Sequence, residues 1–206
     1  TDDRGRGRPA CHKSLDEATA VLAGDGLLTA AFASAAAAEG VSVETALACI
    51  RILGQAAGMN GMIGGQVLDM GAEHRKISLD ELRLLQRLKT GCLLRAACEL
   101  GCVAAGKDDA DMLTLARTYG EKLGLAFQIR DDMLDIEGDT ATLGQTGGKD
   151  EQIEKSTFPS LRGLVECRMQ VVATAQEAGH AVASLAARAL LCLLATTRAL
   201  LHHASG

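Results

Sequence analysis

The sequence predicts an all-α protein, a helical bundle formed by a single domain over residues 1–206. Apolar residues make up 48% of the chain, but aromatic residues only 2%, and there is no tryptophan. A core of this composition consists mainly of Leu, Ala, Val, Ile and Met, which suits closely packed helices. Only two prolines occur, Pro9 and Pro159, and no segment shows the sustained alternation of a strand. We therefore predict long helices and no sheet.

Short polar motifs mark the predicted helix starts in the first half of the chain. Ser14 and Ser78 are each followed three residues later by Glu, which is the pattern of a capping box. The helix opened by Ser14 is expected to end near Gly40, because glycine is favoured just after a helix. Ser42 caps the next predicted helix. The helix opened by Ser78 is expected to run to about residue 105.

The second half of the chain has fewer but longer predicted helices. The acidic run of residues 108–111 suits the first turn of a helix, which continues through Tyr119 to the aspartates near residue 131. Residues 138–150 are predicted to form a polar, glycine-rich loop, and glycine backbone can approach a phosphate closely. Pro159 marks the start of the next helix, and one or two amphipathic helices follow it.

Three carboxylates, at Asp131, Asp132 and Asp135, form the most informative cluster. Asp131 and Asp135 lie one turn apart on one face of the predicted helix, where like charges repel each other. A divalent cation removes that repulsion, and Mg²⁺ prefers one or two carboxylates together with water and substrate phosphates. The alternative is a solvated acidic face, which is what charge clusters usually form. Such a face is normally balanced by basic residues four positions away, whereas the nearest base here is Arg130.

Several motifs, in family order, resemble those of the trans-isoprenyl diphosphate synthases, whose short-chain members are the farnesyl and geranylgeranyl diphosphate synthases. The matches are residues 127–144, Pro9-Ala10-Cys11-His12-Lys13, Leu22-Ala23-Gly24-Asp25, Gly65-Gln66 with Asp69, Lys89-Thr90-Gly91, Gly148-Lys149-Asp150 and Lys155-Ser156-Thr157-Phe158-Pro159. The resemblance implies a helical bundle around an elongated apolar cavity that keeps water from a reactive cation. It also implies the reaction: an allylic diphosphate loses its diphosphate with the help of Mg²⁺ and is joined to isopentenyl diphosphate.

The resemblance also implies roles for residues around the allylic substrate. The three aspartates would hold the Mg²⁺ that bridges to its diphosphate. Lys89 and Lys155 would neutralise the leaving group, and Thr90 and Gln128 would lie near the reacting carbons. The polar residues at positions 66 and 69, one turn apart on a helix, would form a polar layer beside this site.

Other matched residues would also bind diphosphate, and some positions depart from the family pattern. Arg6 and His12 match positions that bind isopentenyl diphosphate. Gly5 stands where the family has a further arginine. Gln145 stands where the family has a diphosphate-binding lysine, and Lys149 is expected to substitute for it.

The first aspartate-rich motif of the family and the helices before it are absent from this sequence, so we expect these 206 residues alone to be inactive. The favoured interpretation is part of a complete short-chain synthase. The alternatives are a non-catalytic regulatory subunit that pairs with a synthase, a class I terpene cyclase and a purely structural bundle. Arg6 and His12 argue against a cyclase, because they match a second diphosphate site.

Charge, cysteine content and hydropathy limit the possible binding partners and the location of the protein. The net charge of −5 at pH 7 argues against nucleic acid. The seven cysteines are expected to be buried free thiols of a cytoplasmic protein, because their number is odd and most lie in apolar helical patterns. A zinc site at Cys98 and Cys102 is not expected, because no second Cys or His pair completes it. No stretch reaches the roughly 18 uncharged apolar residues of a membrane span, so none is predicted. Excess apolar helix surface and the family resemblance predict a homodimer.

Overall fold

The computed structural model describes residues 3–5, 8–137 and 156–183, and within these ranges the chain is almost entirely helical, as predicted. β-structure in these ranges is limited to a two-residue antiparallel ribbon, β1 (Arg4–Gly5) with β2 (Arg8–Pro9), which leaves the fold all-α. A π-helical stretch, Arg87–Gly91, here called the π segment, joins α5 to α6. The α-helices are α1 (Cys11–Ser14), α2 (Glu17–Ala36), α3 (Val43–Ala57), α4 (Met62–Gly71), α5 (Leu79–Gln86), α6 (Cys92–Ala104), α7 (Ala110–Glu137), α8 (Phe158–Arg162) and α9 (Leu164–Ala183).

Side-chain caps determine where several of these helices begin. Ser78 and Glu81 form the predicted capping box, in which Glu81 Oε2 accepts a hydrogen bond from the Ser78 N–H at 2.8 Å. Ser42 caps α3, also as predicted. The capping box predicted at Ser14 is wrong, because Ser14 is the last residue of α1 and Asp16 is the N-cap of α2. The Asp16 side chain accepts the backbone N–H of the first turn, so the chain turns once more before α2 begins.

Helix α7 is the centre of the bundle and packs against α6, α9 and the π segment. Its Ile129 and Met133 are fully buried in one cluster with Phe158 of α8 and Val171 of α9. Tyr119, only 1% exposed, anchors a second cluster against Ala178 and Val182 of α9. Each such side chain contributes about 1.5–3 kcal/mol by leaving water. The aspartate-bearing end of α7 is therefore held on a rigid core.

Two glycines allow helices to approach each other at backbone distance. A Cβ at Gly65 of α4 would lie 2.2 Å from the backbone nitrogen of Lys89 in the π segment. A Cβ at Gly120 of α7 would lie 2.6 Å from the Cα of Arg95 in α6. Any larger residue would force these elements apart, so glycine sets the distance between α4 and the π segment and between α7 and α6.

Helix α2 lies outside the core. None of its residues is buried, and Leu27 is 74% exposed. By length and composition alone, α2 and the stretch Val43–Gly71 could each cross a membrane, which the stricter sequence criterion did not detect. Asp25 lies near the middle of α2, and a carboxylate at the centre of a bilayer costs about 2.5–3.5 kcal/mol. An exposed apolar helix with a central carboxylate suits packing against another protein helix better than lipid.

The six cysteines that the structure describes are free thiols. Cys92 and Cys167 are buried among apolar side chains. Burial raises the pKa of the Cys98 thiol to about 11, and it also raises the pKa of the Cys102 thiol. A thiol with a raised pKa stays protonated and unreactive at neutral pH. The expectation of burial holds for Cys92 and Cys167, whereas Cys98 and Cys102 are partly buried and Cys11 is exposed.

Gly65→Ala should destabilise the protein, because the added methyl group would collide with the Lys89 backbone rather than with a movable side chain. We expect the free energy of unfolding to fall by about 1–3 kcal/mol. Gly71→Ala in the same helix is the matched control, because nothing lies within 4 Å of its added Cβ. The control should be neutral or stabilising by up to about 1 kcal/mol. Urea denaturation compares the variants, and equal stability of the two would contradict the close contact.

Candidate functional site

The acidic cluster lies in the last two turns of α7, and its members occupy different environments. Asp131 is exposed and Asp135 is half-buried, whereas Asp132 is only 5% exposed. Asp131 and Asp135 are one turn apart, as predicted. Within residues 3–5, 8–137 and 156–183, no group of three or more His, Cys, Asp or Glu side chains is arranged to hold a metal ion. Mg²⁺ coordination by all three aspartates thus stays a prediction.

Asp132 points into the protein, where both of its oxygens accept hydrogen bonds. Asp132 Oδ2 accepts the backbone N–H of Phe158 at 2.9 Å, and this contact is buried. Asp132 Oδ1 accepts from the Nε2 of Gln128, one turn earlier in α7, at 3.3 Å. A buried carboxylate needs such donors, because losing its hydration without replacement is costly. Asp132 therefore joins the end of α7 to the start of α8.

The hydrogen bonds continue from Gln128 to the π segment. Thr90 donates its hydroxyl to Gln128 Oε1 at 2.9 Å, which connects residues 38 positions apart in the sequence. The backbones of α7 and the π segment are close here: a Cβ at Gly124 would lie only 3.1 Å from the Cα of Gly91. The π segment widens the helix by one residue per turn, as shown by the Cys92 N–H bonding to the Arg87 carbonyl. Such segments are frequent at functional sites.

Lys89, next to Thr90, is held by an ion pair with Asp69 of α4. Its Nζ lies 2.7 Å from Asp69 Oδ2, with 32% of the Lys89 side chain and 12% of the Asp69 side chain exposed. Asp69, predicted to lie near the site, is thus paired with a residue of the site. Gln66, predicted to lie beside it, is exposed. The structure therefore brings Thr90 and Gln128 into contact from two elements. Lys89 is adjacent to Thr90 in the π segment, and the acidic end of α7 follows Gln128 by about one turn. This arrangement offers a cation, hydrogen-bonding oxygens and carboxylates for an anionic ligand with a metal.

The other predicted site residues lie at the N-terminus or outside the described residues. His12 is in α1, with its Nε2 3.8 Å from Asp3 Oδ1. The hydrogen bond from Lys13, followed by the charges of Lys13 and His12, lowers the pKa of the Asp3 carboxyl. Arg6, Gln145, Lys149 and Lys155 lie outside the described residues.

Sequence reasoning missed a buried carboxylate between α6 and α7. Glu99, only 4% exposed, lies 3.2 Å from Arg95 Nε and 2.9 Å from Arg117 Nε. Together with Gln55 of α3, these side chains line a pocket of about 220 Å³. The spacing of Arg95 and Glu99, four residues apart on one helix, could have indicated this pair. The contribution of Arg117 could not have been found, because it comes from another helix.

Comparison with known proteins places this geometry in a family. The polyprenyl synthetase family matches residues 2–188. The farnesyl diphosphate synthase of Escherichia coli is 44% identical over 92% of this chain and 64% of its own length. The farnesyl diphosphate synthase of Haemophilus influenzae is 49% identical over 79% of this chain and 56% of its own length.

Solved structures give the same result for the fold. The geranyltransferase of Helicobacter pylori, crystallised with magnesium and isoprenyl diphosphate, superposes with a TM-score of 0.83 at 32% identity. The match covers 98% of this chain and 65% of that protein. An apo FPP/GFPP synthase of Zymomonas mobilis superposes with a TM-score of 0.80 over 98% of this chain and 66% of that protein. The chain thus spans less than two thirds of the length of each of these proteins.

Glu99→Gln should destabilise the protein, because it leaves two neighbouring guanidinium groups without their shared carboxylate. We expect the free energy of unfolding to fall by about 1–3 kcal/mol, less than for a fully buried pair because both arginines are partly exposed. Glu121→Gln is the matched control: its half-exposed side chain contacts the same Arg95 at 3.3 Å. The control should change stability by less than about 1 kcal/mol. Thermal and urea unfolding measure both variants, and a neutral Glu99→Gln would refute the buried role of Glu99.

Proposed function

Since the chain belongs to the polyprenyl synthetase family, we propose that the full-length protein is a short-chain polyprenyl diphosphate synthase of the farnesyl or geranylgeranyl type. It condenses isopentenyl diphosphate with an allylic diphosphate, and residues 1–206 form one isoprenoid synthase helical domain of it. The observation that carries this proposal is the grouping of Lys89, Thr90 and Gln128 beside the acidic end of α7. The farnesyl diphosphate synthases at 44% and 49% identity support the same reaction.

Mg²⁺ is the proposed cofactor, and Asp131 and Asp135 are its best-placed ligands. They fit a divalent cation because they are one turn apart on the side of α7 that is not buried in the core. Asp132 belongs to the same motif, but its oxygens face the protein interior. A bound Mg²⁺ would supply positive charge for the departing diphosphate. The relative crystallised with magnesium supports this cofactor.

The basic residues of the chain bind the two diphosphates in this proposal. Lys89 donates to the diphosphate of the allylic substrate, and its ion pair with Asp69 holds the ammonium group in place before the substrate binds. Lys155 acts on the same leaving group. Arg6 and His12 bind the isopentenyl diphosphate, as their match to the family motifs implies. Lys149 binds substrate diphosphate in place of the family lysine that Gln145 replaces.

The reacting carbons lie beside Thr90 and Gln128 in this proposal. Departure of the diphosphate leaves an allylic cation, which the double bond of isopentenyl diphosphate attacks before a proton is lost. The oxygen atoms of Thr90 and Gln128 stabilise the positive charge while it exists. An elongated, apolar cavity between the helices keeps water away from the cation. The half-buried position of both side chains suits such a cavity wall.

We propose that the protein is a cytoplasmic homodimer in which a second copy covers α2. A 20-residue apolar helix without any buried residue leaves surface that a partner helix would remove from water. No nucleic acid and no membrane span belong to this proposal. The net charge of −5 disfavours the first. Asp25 in the middle of α2 disfavours the second.

Asp131→Ala should abolish most prenyl transfer in the full-length protein, because it removes a proposed metal ligand from an exposed position. We expect the turnover number to fall at least about 100-fold, and the free energy of unfolding to change by less than about 1 kcal/mol. Asp111→Ala, in the first turn of the same helix, is the matched control and should keep wild-type turnover. Turnover is measured with isopentenyl diphosphate and an allylic diphosphate, with and without Mg²⁺.

Other outcomes of this assay separate the alternatives. Near-normal turnover of Asp131→Ala would refute the metal assignment. A wild type that is inactive alone, but raises the activity or alters the product of a separate synthase, would be a regulatory subunit. A wild type that cyclises the allylic diphosphate without isopentenyl diphosphate would be a terpene cyclase.

Leu27→Asp should weaken the homodimer, because it places a charge on the exposed surface of α2. We expect light scattering at micromolar concentration to give the mass of a dimer for the wild type and a smaller average mass for the variant. Val165→Asp is the control, because Val165 is 73% exposed on a different helix, α9. A monomeric wild type would refute the homodimer, and an unchanged Leu27→Asp dimer would exclude α2 from the interface.

A further inference from the structure

The hydrogen bonds that begin at Asp132 have a fixed direction. A carboxylate only accepts hydrogen bonds, so Gln128 must turn its NH₂ group toward Asp132. The amide oxygen of Gln128 then faces Thr90, and the Thr90 hydroxyl must donate to it. The proton of Thr90 is thereby used, and Thr90 Oγ1 keeps only lone pairs for any further group. The acceptor oxygen of Asp132 thus decides which way a hydroxyl group two hydrogen bonds away points its proton.

The donor and acceptor roles at the Asp132 end of these hydrogen bonds cannot be exchanged. Its second oxygen accepts the backbone N–H of Phe158 at 2.9 Å, and a backbone N–H is only a donor. Asp132 therefore accepts from at least two donors, one of which is part of the main chain. Only the Gln128 amide and the Thr90 hydroxyl are able to rotate, and both follow Asp132.

Thr90 differs in its hydrogen bonding from three other threonines within the described helices. Thr29, Thr114 and Thr118 each donate their hydroxyl to a carbonyl one turn earlier in their own helix. That is the ordinary arrangement for threonine in a helix. Thr90 instead donates across to α7. Its orientation is therefore set by a contact between helices that includes a buried carboxylate.

We propose that Asp132 is a positioning residue that makes Thr90 a pure hydrogen-bond acceptor through Gln128, and that it is not a metal ligand. This inference rests on the proposed function, in which a positive charge develops on an allylic carbon beside Thr90. An oxygen that presents lone pairs stabilises that charge, whereas a hydroxyl proton pointing the same way would oppose it. Asp131 and Asp135 remain the carboxylates that face the metal.

Asp132→Asn should reverse the donor and acceptor roles of the Gln128–Thr90 hydrogen bond with almost no change in side-chain shape. The asparagine oxygen keeps the Phe158 N–H, so its NH₂ group faces Gln128 and forces the Gln128 amide to flip. Gln128 then donates to Thr90, and the hydroxyl proton of Thr90 is released toward the substrate. Thr90→Val removes the hydroxyl with a similar shape. The two variants therefore remove the same acceptor by different routes.

The test is a double-mutant cycle of Asp132→Asn and Thr90→Val in the full-length protein. We expect each variant to lower the turnover number by about 10- to 100-fold, the cost of one misdirected buried hydrogen bond. The double variant should be no slower than the slower single variant, because both act on the same oxygen. Multiplicative losses would overturn the proposal, because Asp132 would then act independently of Thr90.

Metal dependence gives a second, separate readout. The Mg²⁺ concentration for half-maximal binding of inorganic pyrophosphate, measured by calorimetry, should be unchanged within about twofold in Asp132→Asn. The same concentration should rise about 10- to 100-fold in Asp131→Asn, which removes a ligand charge. An increase for Asp132→Asn equal to that for Asp131→Asn would overturn the positioning role.

A crystal structure of the wild type with Mg²⁺ and pyrophosphate decides the question even if Asp132→Asn fails to fold. We expect Asp132 to keep Gln128 and Phe158 as its partners, and an Asp132 oxygen within about 2.1 Å of Mg²⁺ would overturn the proposal. A wild type that transfers no prenyl group would overturn the proposed function together with this inference. Prenyl transfer with multiplicative losses or a raised Mg²⁺ requirement in Asp132→Asn would overturn the inference alone.

Discussion

The buried carboxylate of Asp132 is the constraint on which the candidate site depends. A carboxylate removed from water must accept hydrogen bonds inside the protein, and Asp132 obtains them from the Phe158 backbone and the Gln128 side chain. The Phe158 bond fixes the start of α8 against α7, so that the Phe158 ring enters the main core cluster. The Gln128 bond extends the same requirement to Thr90. Core packing and site geometry are thus satisfied by one side chain.

Close backbone packing makes this network possible. Gly124 brings α7 against the π segment, and Gly65 brings α4 against the same segment from another side. Each glycine inside a helix costs up to about 1 kcal/mol relative to alanine. That cost is offset because the approach lets Asp69 pair with Lys89 and lets Thr90 reach Gln128. The site therefore depends on glycines that let the helices approach closely as well as on the side chains that form the contacts.

Neighbouring carboxylates of one motif serve different purposes because of helix geometry. Successive residues of an α-helix are rotated by about 100°, so Asp131 and Asp132 cannot face the same way. Asp131 faces outward, and Asp135, one turn later, is on its side of the helix. Asp132 lies on the side that packs against α8 and α9, near Cys167, whose thiol pKa is raised by burial and further by the Asp132 charge. The three aspartates that form one cluster in the sequence therefore occupy two different environments in the structure.

The sequence by itself determined the features that depend on local chemistry. The scarcity of aromatic residues and prolines predicted helices, Ser42 and the Ser78–Glu81 pair predicted two helix starts, and the spacing of Asp131 and Asp135 predicted a shared face. The error at Ser14 has a local cause as well, since Asp16 offers an equally good cap two residues later. Only the tertiary structure decided that Asp132 turns inward, that Lys89 pairs with Asp69, and that Glu99 meets Arg117. Those contacts join residues 18 to 26 positions apart, and a periodic pattern records which face of a helix is apolar but not which helix that face will meet.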